Sequence, residues 1–296
     1  MNDYVILTDS CSDLEKELRE KFDIKYIPMR FTVDDAEYAA DLDWKIISPK
    51  DFYDLMRNGK RVKTSQISVI DFETVFETYA EKNTDILYIG CSSALSASVK
   101  ASVVAAENVK EKYPDVKILC VDSLNSSYAL GLMTIYAAHM KKNGKTIQEV
   151  ADSIEREKLN YNQEATVESL HYLKLSGRIS AASAFFGGML SVKPIIVSDI
   201  KGQNVSIEKV RGRQTSFDKI AERVADEIIT DNHDEIFIAH ADCEKDAILL
   251  KEIIAAKLGD KNIKFHIGYV GPIVGASTGP GTIIVDFYGK KVTFEG

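Results

Sequence analysis

Cysteine is scarce in this chain, and its spacing does not suit a metal. The four thiols, Cys11, Cys91, Cys120 and Cys243, lie far apart and form no CxxC pair. That excludes a zinc ribbon or finger and points to buried thiols. Basic charge is short as well: 37 Lys and Arg against 45 Asp and Glu give a net charge of -8. No overall electrostatic pull toward nucleic acid or an anionic membrane follows, and nucleic acid is not an expected partner. Met1-Asn2-Asp3 lacks the basic segment and apolar core of a secretory signal, so the expected compartment is the reducing cytoplasm. No GxGxxG follows a strand and no P-loop is present, so no nucleotide cofactor is expected. Internal repeats and low-complexity segments are lacking too. Two uncharged stretches are long enough to test as membrane spans. Phe265 to Val285 is interrupted by Gly268, Gly271, Pro272, Gly275, Gly279, Pro280 and Gly281, which is turn chemistry. Ser123 to Met140 opens with Ser123, Asn125, Ser126 and Ser127, the start of a capped, buried helix. No integral membrane segment is expected.

What is present is ordinary globular material: 296 residues, 45% hydrophobic and 28% charged, enough for two domains. In the first half, short apolar runs each feed an amphipathic stretch. Tyr4 to Leu7 precedes a helix from about Asp13, Ile86 to Ile89 one from about Ala97, and Lys117 to Val121 one from about Asn125. This predicts a doubly wound, mostly parallel α/β sheet. Between the first two units lie a strand from Lys25 to Val33, an irregular acidic segment and a helix from Pro49 to Arg57. Asn143-Gly144 ends a helix with a left-handed cap, and a polar helix follows to about Lys158. The domain boundary is placed near residue 160, with residues 1–160 Rossmann-like and residues 161–296 mixed α+β. The second part is expected to hold strands near Ala165, Pro194, Val205, Glu235 and Phe265, with helices through Leu170 to Leu175, Ile179 to Leu190, Ser216 to Thr230 and Glu244 to Leu258.

Ligands of open α/β sheets bind beyond the carboxyl ends of the strands. Three turns there, Thr8-Asp9-Ser10, Cys91 to Ser96 and Asp122-Ser123, are rich in hydroxyls and Asp, and Lys63-Thr64-Ser65-Gln66 adds a fourth cluster. Each has a structural reading as a helix cap, and Ser12 with Glu15 reads as a capping box. Together they read as a cradle donating several hydrogen bonds to one small anion such as a carboxylate. The enzymatic alternative is Gly90-Cys91-Ser92-Ser93-Ala94, similar to the nucleophile elbow of α/β hydrolases. It makes Ser92 the nucleophile of an esterase or thioesterase, with His240 or His266 as the base it requires.

In the second part, Gly177 ends a helix and Arg178 opens the next, either as a salt-bridging residue or as a cation facing an interdomain cleft. Phe185-Phe186-Gly187-Gly188 lies in an apolar helix, either buried core or the wall of a greasy tunnel. Arg211 and Arg213 read as surface cations. Gly271-Pro272 through Gly279-Pro280-Gly281 reads as a loop able to approach a ligand closely.

Taken in order, these stretches resemble the DegV family, which includes the fatty-acid-binding subunits of bacterial fatty acid kinases. The resemblance implies a non-catalytic binding protein that holds one long-chain fatty acid or related lipid. The tail would lie in an apolar tunnel of the second domain, with Phe185, Phe186, Gly187 and Gly188 as candidate lining. The carboxylate would sit at the interdomain cleft on Thr64 and Ser93, for phosphorylation by an ATP-binding kinase partner. Arg178 matches the family's arginine motif and is assigned to the cleft or to kinase docking. Where the family usually places a histidine in the terminal loop, this chain has Ser277, a hydroxyl that can donate one hydrogen bond but cannot become a cation. That departure keeps a different small metabolite open as the ligand. No catalytic residue and no metal site are implied.

Overall fold

The computed structural model describes residues 3–179, 192–231, 233–259 and 261–296. The chain runs β1 (Tyr4–Asp9), α1 (Lys16–Phe22), β2 (Ile24–Ile27), β3 (Arg30–Val33), β4 (Ala36–Ala39), α2 (Pro49–Arg57), β5 (Lys63–Ser65), α3 (Val69–Ala80), β6 (Asp85–Gly90), α4 (Ser98–Lys112), β7 (Ile118–Asp122), α5 (Ser127–Lys142) and α6 (Ile147–Glu157). It continues through β8 (Tyr161–Thr166), α7 (His171–Ser176), β9 (Val192–Ser198), β10 (Asn204–Arg211), α8 (Arg213–Glu227), β11 (Glu235–His240), α9 (Glu244–Leu258), β12 (Lys264–Tyr269), α10 (Pro272–Thr278) and β13 (Ile283–Tyr288). The first sheet is parallel, in the order β2-β1-β6-β7. β1 and β6 are buried along their whole length, as strands covered on both faces must be. A six-stranded sheet, β10-β9-β8-β13-β11-β12, is antiparallel except for the β11/β12 pair. The expected α/β class with a parallel and a mixed sheet is what the chain adopts.

Two local expectations are corrected. The run Lys25 to Val33 is two strands, because Pro28 carries no amide hydrogen and the Met29 N–H is taken by the Ser10 hydroxyl at 2.9 Å. β3 therefore leaves the parallel sheet and pairs with β4 and β5 in a small antiparallel one. The Ser12/Glu15 capping box is absent. A 3-10 turn over Ser10–Ser12 ends at Asp13 in the left-handed region, which delays α1 to Lys16 and puts Ser12 too far upstream to cap it. The Ser12 hydroxyl is buried without a partner, and Glu15 bonds the Tyr128 hydroxyl and His266 instead.

Elsewhere the caps are those the residues favour. Ser48 caps α2 ahead of Pro49, Ser68 caps α3, and Thr146 with Glu149 forms a full capping box on α6. Gly144 follows α5 with φ +79°. The long uncharged run is α5, with Tyr128, Ala129, Leu130 and Met133 fully buried. α5 lies between the sheets, so one apolar core runs from Ile6, Leu7 and Ile89 through Leu130 and Met133 to Phe237, Ala239 and Ile284. The neighbours of these last three, Ile236, Ile238, Ile283 and Val285, face the opposite way, into a second core with α8 and α9. The chain changes sheet at residue 160, and we propose 1–160 and 161–296 as its domains. Among the described residues no helix is long and apolar enough to cross a membrane.

Candidate functional site

Thr64, Ser93, Arg178 and Ser277, separated by as many as 213 positions in the chain, line one cavity of about 440 Å³. Thr64, Arg178 and Ser277 also line an adjoining cavity of about 180 Å³, so these three stand where the two spaces meet.

Different elements deliver each side chain. Thr64 is the middle residue of β5, held opposite Phe31 of β3. Ser93 follows β6, in a turn tied from both sides. Asp122 Oδ1 accepts the amides of Ser93 and Leu124, each at 3.1 Å. Behind it, Asp9 accepts the amides of Cys11 at 2.8 Å and Cys91 at 2.9 Å and the Tyr88 hydroxyl at 2.7 Å. One buried carboxyl thus joins the ends of β1 and β6. Burial raises its pKa although these donors oppose the shift. Arg178 comes just after Gly177, which caps α7 with φ +70°. Its guanidinium donates to the carbonyls of Leu95, at 3.4 Å, and Ser176, and it has no carboxylate partner among the described residues. Ser277 lies on α10, and its hydroxyl reaches the Ile273 carbonyl only at 3.4 Å, a weak bond that leaves it available to a ligand.

The Gly271 to Gly281 segment, expected to be a loop, is corrected: it contains the helix α10. Pro272 suits the first helical position, and Gly279 and Gly281 make the turns behind it with φ +86° and +77°. Gly275 lets α10 approach α2, since a Cβ there would stand 2.3 Å from the Tyr53 hydroxyl.

The remaining walls combine Leu173, Ile196, Ile273, Val274 and Ile284 with Gln163 and Asn204. No Asp or Glu lines either cavity among the described residues, although acids outnumber bases in the chain. Apolar walls, neutral hydrogen-bond donors and one unpaired guanidinium favour an amphipathic anion. The smaller cavity adds Lys60, Arg61 and Lys63, a basic run within an acidic chain that the sequence reading passed over. It also missed Gln163, whose signal is a polar residue in a strand buried throughout, and Asn204, the first residue of the mostly open strand β10. Asn204 donates to the Arg178 carbonyl at 2.9 Å and Gln163 to the Ser126 carbonyl at 3.2 Å.

Not every hydroxyl turn joins the cradle. Thr8 is buried without a partner, and Ser10 bonds the Ala40 carbonyl and the Met29 amide, so the first turn braces the site without lining it. Ser92 is fully buried and donates to the Gly202 carbonyl at 2.8 Å. Neither candidate base bonds it: His240 accepts the Cys243 amide at 3.4 Å and packs on Tyr269, while His266 meets Glu15 at 3.1 Å. Cys11 and Cys91 line the cavity as thiols whose pKa values are raised, which makes them poor nucleophiles. Arg213, expected at the surface, instead holds Asp246 at 3.0 Å and the Gly281 carbonyl at 2.7 Å behind the site. Phe185, Phe186, Gly187 and Gly188 lie outside the described residues, as does the predicted helix beyond Ile179.

Fold and cavity together define an α/β protein of two main sheets and a small antiparallel one, with a cavity lined by both halves of the chain. The DegV family model matches residues 3–290, and the chain belongs to the DegV family. It is 38% identical over 289 residues to a DegV domain-containing protein of Clostridium perfringens, covering 98% of each chain. With a Streptococcus pyogenes DegV domain-containing protein it shares 31% identity over 288 residues, 97% of this chain and 99% of the other. Among solved structures, it is similar to the fatty-acid-binding DegV family protein of Thermus thermophilus, with TM-score 0.84, 25% identity and coverage of 97% and 100%. The fatty-acid-binding DegV of Bacillus subtilis gives TM-score 0.83, 25% identity and coverage of 98% and 100%.

Proposed function

We propose that this protein binds one long-chain fatty acid without catalysing any reaction itself, and presents its carboxylate for phosphorylation by a partner kinase. The carrying observation is the acid-free cavity in which Thr64, Ser93, Arg178 and Ser277 meet walls of Leu173, Ile196, Ile273 and Ile284. In this reading the carboxylate lies on Thr64, Ser93 and Ser277 with Arg178 beside it, and the tail runs along the apolar walls. The solved relatives named above, described as fatty-acid-binding, support the same class of ligand.

The test is mass spectrometry of the denatured, purified protein together with thermal melting. An acyl lipid is expected to be released. Oleate at about a hundredfold its dissociation constant is expected to stabilise the delipidated protein by about 2.7 kcal/mol, a shift of several degrees. No released lipid together with no shift would overturn the reading.

The kinase partner is supported by the mouth of the site, where Arg61 and Lys63 are exposed near Leu175, a large apolar residue also exposed. That surface suits an acidic partner face. Lys63→Glu with Arg61→Glu is expected to abolish phosphorylation of bound oleate by a fatty acid kinase ATP-binding subunit while changing oleate affinity less than threefold, a small loss for exposed charges.

A further inference from the structure

A second cavity, of about 470 Å³, lies at the other end of α5 and shares no residue with the lipid site. Ser126, just before α5, lines the first cavity, whereas His139, in its last turn, lines the second. The two cavities adjoin opposite ends of one stretch of β8, where Tyr161 lines the second and Gln163, two residues on, lines the first.

The second cavity is walled by rings. His233 stacks face to face on Tyr288, with centroids 3.7 Å apart and planes 11° from parallel. Tyr136 closes on His233 at 5.4 Å, and Tyr161 stands edge-on to Tyr288 at 5.3 Å. The Tyr161 hydroxyl belongs to a residue 2% exposed and bonds no described residue, an expensive arrangement for a buried phenol. No described residue bonds the Tyr136 hydroxyl or the side-chain amide of Asn143, an exposed residue at the rim of the lining. The lining charges balance: Lys21 and Lys264 stand against Asp234 and Glu235. Burial lowers the pKa of His233, against the pull of Glu157 and Asp234, so its ring is neutral at neutral pH.

We propose that this cavity is a second binding site, for an uncharged planar heteroaromatic molecule of the nucleobase class. Such a ligand extends the His233/Tyr288 stack and offers an edge atom to the Tyr136 hydroxyl. With Lys264 paired to Asp234 at 2.7 Å and Lys21 balanced by Glu235, the lining gives neither an organic cation nor an anion a net attraction, and ring stacking decides.

The test is calorimetric titration of the full chain with adenosine, using choline and indole as comparators. Adenosine is expected to bind saturably and more tightly than either, and saturating oleate is expected to leave its affinity unchanged. His233→Ala and Tyr136→Ala should each weaken it about tenfold or more. Tyr161→Phe removes one oxygen sealed from the cavity and should change adenosine affinity less than threefold, with an equal or higher adenosine-free melting temperature, since no hydrogen bond to a described residue is lost. Circular dichroism confirms that each variant is folded. No saturable adenosine binding, preference for choline, displacement by oleate, or an affinity unmoved in folded His233→Ala would each overturn the proposal.

Discussion

Ser277 stands at the proposed carboxylate position, where the family pattern described above has a histidine. A hydroxyl that donates weakly to the Ile273 carbonyl contributes one neutral hydrogen bond to a carboxylate, whereas a histidine there can supply a charge-assisted one. Ser277→His is therefore expected to tighten oleate binding about tenfold at pH 6. An imidazole with a pKa near its ordinary value of about 6.5 loses that charge as pH rises, so most of the gain should vanish by about pH 8. Dissociation constants at the two pH values check this. A pH-independent constant equal to that of the unaltered protein would show that position 277 does not face the head group.

β8 shows how one strand serves two purposes. Gln163 and Ala165 line the cavity of Thr64, Ser93, Arg178 and Ser277, and the intervening Glu164 faces α8, where Arg223 Nε donates to both its carboxylate oxygens at 2.8 and 2.9 Å. Burial outweighs Arg223 and pushes the Glu164 pKa from 4.5 to about 7. A carboxyl with a folded-state pKa above its unfolded value binds its proton more tightly in the fold. Its contribution to stability is present in full below about pH 4.5 and is lost as pH rises through about 7. Glu164→Gln removes this titration, so its chemical denaturation midpoint should fall less between pH 4.5 and 7 than that of the unaltered protein. Parallel midpoints for the two proteins across that range would refute the assignment.

At the scale of the molecule, the two sheets share what holds them. α5 buries its sides against both, and the chain returns from the six-stranded sheet to set α10 beside α2, where the Tyr53 hydroxyl donates to the Val270 carbonyl at 2.5 Å. β13, the last strand, sits between β8 and β11 inside its sheet, so the carboxyl-terminal segment completes both the cavity and the second sheet. The fragment 1–160 on its own would expose the apolar side of α5 that normally meets Phe237 and Ile284. It is expected to aggregate or to lack a cooperative melting transition, while the whole chain unfolds in one. Calorimetry of both constitutes the test, and a monomeric, cooperatively folding fragment would show that α5 does not need the second sheet.

Local patterning made much of this legible. The buried runs of β1 and β6, the uncharged α5 and the Gly144 cap follow from side-chain periodicity and backbone preference, which act over a few residues. Thr64, Ser93, Arg178 and Ser277 were legible as candidates through an ordered series of motifs, not through spacing. Their meeting was not legible, because it depends on α10 crossing back to the first half and on β3 leaving the parallel sheet to pair with β5. Ser92 and Ser93 are adjacent hydroxyls in one turn. Only packing decides that Ser92 is sealed against the Gly202 carbonyl while Ser93 opens to the cavity. The capping box at Ser12 failed for the same reason, since Asp13 in the left-handed region moved the start of α1. The aromatic cavity draws Tyr136, Tyr161, His233 and Tyr288 from four separate segments, each unremarkable in its own context. Residue chemistry and short-range periodicity thus belong to the linear chain. Which hydroxyl is free, which cation is unpaired and which rings stack are set by long-range burial, where desolvation selects among groups that are locally equivalent.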